Sequence, residues 1–137
     1  METALLPNKE RQAAFRAQLN DFAERIEGVE PVFSQTRHLV AHLRRKYGLS
    51  ASAKIENEVK AARADVDKFV VWFIELSGHI THFRFKRAEK VATTIAGSLE
   101  RIYSLPRKLQ ELDDKLGAAA SDFNPTMGTV RAELMAF

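Results

Sequence analysis

Apolar residues recur along this chain at alternating steps of four and three. The first such seam is Phe15, Leu19, Phe22, Ile26, Val29, Phe33, Thr36, Val40, Leu43 and Tyr47. Residues three and four apart share one helical face, so a sustained 4-3 repeat marks an amphipathic helix packed along a heptad seam. A second seam runs through Ile55, Val59, Ala62, Val66, Phe69, Phe73, Leu76, Ile80 and Phe83. A third follows at Val91, Ile95, Ser98, Ile102, Leu105, Leu109, Leu112 and Leu116. Met127, Val130, Leu134 and Phe137 close the chain as a short amphipathic segment.

Punctuation between the seams sets the expected helices at about 8–28, 31–47, 52–86, 88–116 and 125–136. Asn8 is a good N-cap. Pro31 removes a hydrogen bond and clashes with the preceding turn, so a break near Gly28–Pro31 is expected. Gly48 is a natural stop, and Ser50 or Ser52 a cap for the next helix. Pro106 predicts a kink or a fresh start near Ser104. Gly117 and the three alanines after it predict a linker, and Asn124–Pro125 a cap followed by a first helical residue. No Gly or Pro marks residues 84–90. A turn near Arg87 gives three antiparallel helices, and a continuous helix over 52–104 is the alternative. The turn is favoured because it stacks apolar layers such as Ile26/Phe73/Ile102 and Phe33/Val66/Leu109. The expected fold is therefore all-α: one domain, 1–137, an antiparallel bundle of three long, partly kinked helices plus a short C-terminal helix.

Phe69-Val70-Val71-Trp72-Phe73-Ile74 is the centre of this arrangement. Six consecutive apolar residues bury a helix on nearly every side, so other segments must wrap it. The same register sets Trp72 opposite Gly28, where a missing side chain makes room for the indole. Phe69 and Phe73 belong to the seam. Val70, Val71, Trp72 and Ile74 exceed what it needs, and form a candidate protein interface covered by the last helix, by another copy or by another protein.

Composition narrows the class. With 137 residues the chain suits one domain, and 45% hydrophobic with 28% charged residues fits a soluble globular protein. The absence of cysteine excludes disulfides and thiolate metal sites. The first twenty residues carry charges and no apolar core, so no signal peptide is expected. No apolar run approaches the ~20 residues of a membrane span. A soluble, cytoplasmic protein without membrane contact is expected.

The net charge of +3 is unevenly spread. Between Glu30 and Glu56 there is no acid, while Arg37, Arg44, Arg45, Lys46 and Lys54 are basic. Between Glu75 and Glu89 only Arg84, Lys86 and Arg87 are charged. Arg37 and Arg44 lie seven apart, as do His38 and Arg45. They make two adjacent rows repeating about every 10 Å along one helical flank. Such a face can pair with phosphates and release counterions; it can also be a solvated face paired with Glu56 or Glu58. In Phe83-Arg84-Phe85-Lys86-Arg87, Phe85 lies off the seam among cations. It either stacks on a base or packs beneath the last helix.

Catalytic chemistry has no visible constellation. His38/His42 and Glu75/His79/His82 have helical ligand spacing, but two ligands without a third make a poor metal site. Neither H-E-x-x-H, a G-x-S-x-G elbow nor a phosphate loop occurs. The sequence therefore predicts a non-enzymatic helical subunit of a larger assembly, without cofactor, metal or small-molecule substrate. Arg37, Arg44, Arg45, Lys46, Arg84, Lys86 and Arg87 would contact a nucleic-acid backbone, RNA or DNA, without sequence readout. In size and charge this is comparable to small subunits of nucleoprotein complexes. The alternative is a protein–protein interaction bundle with no nucleic-acid role: a homo-oligomer, a chaperone or immunity-type binder, or a phage structural protein.

Overall fold

The computed structural model describes the backbone of residues 2–136 and the side chains of residues 8–120. Over the described residues it is all-helical, with five helices: α1 (Glu2–Glu27), α2 (Val29–Tyr47), α3 (Ala53–Val66), α4 (Phe69–Thr81) and α5 (Phe85–Ala136). They form three arms. α1 and α2 make the first, α3 and α4 run back along it, and α5 packs against all four. The core follows the seams: Phe22, Val29, Phe33, Ala62, Phe69, Leu76, Ile80, Ile95, Leu99, Ile102 and Leu105 are buried in one cluster.

The break in the first arm has the expected cause. Pro31 is the third residue of α2, where a missing N–H costs nothing, and its ring would collide with the Glu27 carbonyl of an unbroken helix. The chain therefore yields at Gly28, one turn upstream. Gly48 ends α2 at φ 107°, a conformation open to glycine, with its N–H bonded to the Arg44 carbonyl at 3.0 Å.

Four boundaries differ from expectation. α1 begins at Glu2, so Asn8 is an exposed residue within a helix and not its cap. The second arm is divided at Asp67–Lys68, where Lys68 N–H bonds to Asp65 C=O at 2.9 Å in a tightened last turn. No Gly or Pro signals this; the break sets the Asp67 carboxylate just before the positive end of α4, a favourable place for it. The third arm is undivided. α5 passes through Pro106, where Leu105 and Leu109 are fully buried and hold the helix in place despite the lost bond. It also passes through the expected linker and the expected separate helix 125–136; the side chains of Met127, Val130, Leu134 and Phe137 lie outside the described residues.

The turn joining the second and third arms lies at 82–84, not near Arg87. It is a Schellman ending: Arg84 N–H bonds to His79 C=O at 2.8 Å, and Phe83 N–H bonds to Ile80 C=O at 3.2 Å. Phe83 occupies the left-handed position at φ 58°, which glycine usually takes. Moving the turn moves the register of the last two arms. Asp65 meets Ser98 at 2.9 Å and Arg101 at 3.4 Å, and Glu58 meets Lys108 at 3.1 Å. The expected pairing of Val66 with Leu109 is thus displaced by two to three turns. Between the first two arms the expected register is closer, since Arg44 meets Glu56 and Glu30 meets Arg63, both at 2.7 Å.

Candidate nucleic-acid interface

α2 carries the first basic group: Arg45 lies opposite the buried Phe33, Thr36 and Leu43, while Arg37 and Arg44 lie at the edge of that face, along a groove shared with Glu56. Two of its four expected phosphate ligands are engaged within the fold. Arg44 is paired with Glu56 of α3 at 2.7 Å. Lys46 reaches Asp113 of α5 at 3.5 Å, and Asp113 also accepts a 2.9 Å hydrogen bond from the Tyr47 hydroxyl and lies 3.5 Å from His42. Tyr47 first, and then Lys46 and His42, hold the Asp113 carboxyl below its ordinary value near 3.8 against the opposing effect of burial. Lys46 is raised above its ordinary 10.5 by Tyr47 and by Asp113. Arg37 and Arg45 are exposed, and among the described residues no acid lies within 4 Å of either. The stripe is therefore half neutralised: the Arg44–Glu56 pair is one the ion-paired reading names, whereas Asp113 is not, and Glu58 pairs with Lys108 instead.

The second basic group sits at the other end of the bundle, around the 82–84 turn and the start of α5. Lys86, Arg87 and Lys90 are exposed and have no acidic partner within 4 Å among the described residues. Arg84 donates its Nε–H to His79 Nδ1 at 2.9 Å, leaving the rest of the guanidinium available. The first turn of α5 contains no acidic residue. Its positive dipole end is reinforced by Lys86 and Arg87, where helices ordinarily carry Asp or Glu. Lys90 was missed in the sequence because Glu89 interrupts the acid-free run, yet it lies one turn from Lys86 on the same face.

The two phenylalanines here exchange their expected roles. Phe85, expected off the seam, is buried at 7% exposure, stacked on Phe15 with ring centroids 5.7 Å apart and covered by the Arg11 guanidinium at 4.5 Å. Phe83, expected in the seam, is 47% exposed. The turn explains the exchange: a left-handed residue at 83 ends the helical phase, and the next helix starts with Phe85 facing inward. Phe83 stays edge-on to Phe85 at 5.9 Å.

The central apolar run is not wrapped on all sides. Phe69 is buried, and Trp72 and Phe73 are half-buried. Val70, Val71 and Ile74 are 67%, 54% and 68% exposed, and these are the residues the seam does not use. Trp72 packs edge-on to Phe69 at 5.7 Å, and the space at Gly28 belongs to Tyr103, not to the indole. Among the described residues no group of three or more His, Asp or Glu could hold a metal ion, and no helix is long and apolar enough to cross a membrane.

Comparison with protein-family models, with curated proteins and with solved structures finds no match.

Proposed function

We propose that the protein is a non-enzymatic helical subunit that binds a nucleic-acid backbone through its basic end, without reading sequence, as part of a larger assembly. The observation that carries this reading is Phe83. A bulky side chain in the left-handed region costs roughly 1–2 kcal/mol, and glycine would avoid that cost. The fold keeps a half-exposed aromatic ring there at φ 58°, in the turn that leads into Arg84 and the exposed Lys86, Arg87 and Lys90 of α5. Strain retained at an exposed aromatic among unpaired cations fits a stacking platform with phosphate contacts around it. Single-stranded nucleic acid suits such a site better than duplex, because its bases are free to stack. Arg37 and Arg45 would supply a second, weaker contact, with Arg44 and Lys46 largely committed to Glu56 and Asp113.

Titration of a labelled single-stranded oligonucleotide at several salt concentrations tests the reading. Affinity should fall steeply with salt, as counterion release requires. Undetectable binding at about 50 mM salt rules it out. The second reading, a protein-interaction bundle with no nucleic-acid role, is favoured by the exposure of Val70, Val71 and Ile74.

A further inference from the structure

α4 is apolar on two opposite sides. Phe69, Leu76 and Ile80 face the core and are buried. Val70, Val71 and Ile74 form a stripe on the far side, open to solvent. Asp67, Lys68, Glu75 and Ser77 surround the stripe and are exposed. Lys68 and Glu75 are seven residues apart, so they lie on one flank of the stripe about two turns from each other. Lys68 makes only a 3.9 Å contact with Asp65, and Glu75 has no basic partner within 4 Å among the described residues.

We infer that this face of α4 pairs with the same face of a second copy of the chain, antiparallel about a twofold axis beside Val71. The charges select this occupant and this orientation. A twofold axis crossing antiparallel helices keeps each residue on its own flank and inverts its height along the helix. Centred between positions 71 and 72, it brings Lys68 opposite the partner's Glu75 and Glu75 opposite the partner's Lys68. The same operation brings Val70 to within one residue's rise, about 1.5 Å, of the partner's Ile74, and Val71 equally close to its own copy. Apolar centre and charged flank are thus self-complementary in one register, as an isologous interface demands. A parallel pairing would set Lys68 against Lys68 and Glu75 against Glu75.

Grooves of about 300 Å3 lie on both sides of α4, one toward α1 at Arg16, Leu19 and Ser77, the other toward α5, where Glu75 and Trp72 share it with Arg87 and Lys90. A partner helix laid along α4 therefore meets a ridge, and the contact is small, at or below the ~1,200 Å² of the weaker specific interfaces. Association should be reversible, in the micromolar to submillimolar range. The inference does not depend on nucleic-acid binding.

Sedimentation equilibrium of the full chain without nucleic acid, up to about 1 mM, is the test. A monomer–dimer equilibrium is expected. Ile74→Asp should weaken it about tenfold or more with no loss of helicity, because Ile74 is exposed in the single chain. Lys68→Glu and Glu75→Lys should each weaken self-association several-fold. An equimolar mixture of these two variants should associate more tightly than either alone, since the mixed dimer regains opposite charges at both pairs. A monomer at every concentration overturns the inference, as does a dimer indifferent to Ile74→Asp or a mixture no tighter than its components. Any of those results leaves the basic end untouched.

Discussion

The Tyr103 hydroxyl donates a 2.6 Å hydrogen bond to the Arg25 carbonyl, in the space left by the missing side chain of Gly28. The bond ties α5 to the break in the first arm and satisfies a carbonyl near the end of α1. A Cβ on residue 28 would collide with that hydroxyl, yet would sit at an ordinary 3.6 Å from the ring carbon bearing it. Gly28 has φ −79° and ψ −4°, which alanine adopts freely. Gly28→Ala should therefore be neutral to about 1 kcal/mol destabilising in the native sequence, because the lost hydrogen bond offsets the entropic gain. In a Tyr103→Phe background the same change should stabilise by about 0.5–1 kcal/mol. Denaturant unfolding of the four proteins measures the coupling. Equal effects in both backgrounds would show that the hydroxyl does not fill the glycine's space.

Ser98 is the polar residue in the third seam, and Asp65 explains it. Ser98 is buried at 4% exposure and donates to the Asp65 carboxylate at 2.9 Å; Arg101 approaches the same oxygen at 3.4 Å. Ser98→Ala should cost about 1.5–3 kcal/mol, the range for a hydrogen bond to a charged group. Asp65→Ala should cost more, since it strands a buried hydroxyl and releases Arg101 and Lys68. Thermal unfolding that ranks the two in the opposite order would contradict this account.

These two sites show what the sequence could tell and what it could not. The seams of Phe15–Tyr47, Ile55–Ile80 and Val91–Leu116 follow from helical periodicity alone, and Pro31 and Gly48 act through local sterics, so both were legible. The 82–84 turn was not, because a Schellman ending ordinarily uses glycine and here uses Phe83. That one departure shifted the register of α3 against α5, hid the partner of Ser98 and reversed the roles of Phe83 and Phe85. The basic stripe of α2 was legible as charge. Its pairing with Glu56 follows from the hairpin between α2 and α3 and was legible too; its pairing with Asp113 of α5 depends on a tertiary contact that no spacing reveals.

Asp113 predicts a pH dependence. Its folded pKa lies below the unfolded one near 3.8, so the native state binds fewer protons in that range. The resulting stability is present above the unfolded pKa and is lost as pH falls through the folded value. Tyr47→Phe removes the largest cause of the depression, so its acid limb below about pH 4 should be flatter than that of the native protein. Lys46 has the opposite sign: its contribution is present below 10.5 and fades as pH rises through its raised value. Thermal midpoints measured across pH test both. An unchanged acid limb in Tyr47→Phe would show that the hydroxyl does not act on Asp113.

Lys86→Glu with Arg87→Glu should lower nucleic-acid affinity by about tenfold or more at low salt and flatten its salt dependence. Both side chains are exposed and unpaired among the described residues, so thermal stability should not fall, and acids at the positive end of α5 should raise it by about 0.3–1 kcal/mol each. The same double change in Arg44 and Arg45 should weaken binding less and also cost stability, because it breaks the Arg44–Glu56 pair.

The most direct measurement is Phe83→Gly, read for stability and for single-strand affinity in the same protein. Glycine relieves the left-handed strain, so the variant should be more stable by up to about 1 kcal/mol after the loss of the Phe85 contact. Removing the exposed ring should weaken single-strand binding by about 1–3 kcal/mol, the usual contribution of an aromatic under a base, with little change for duplex. A variant that gains stability and keeps its single-strand affinity would contradict the account of Phe83 as a stacking platform.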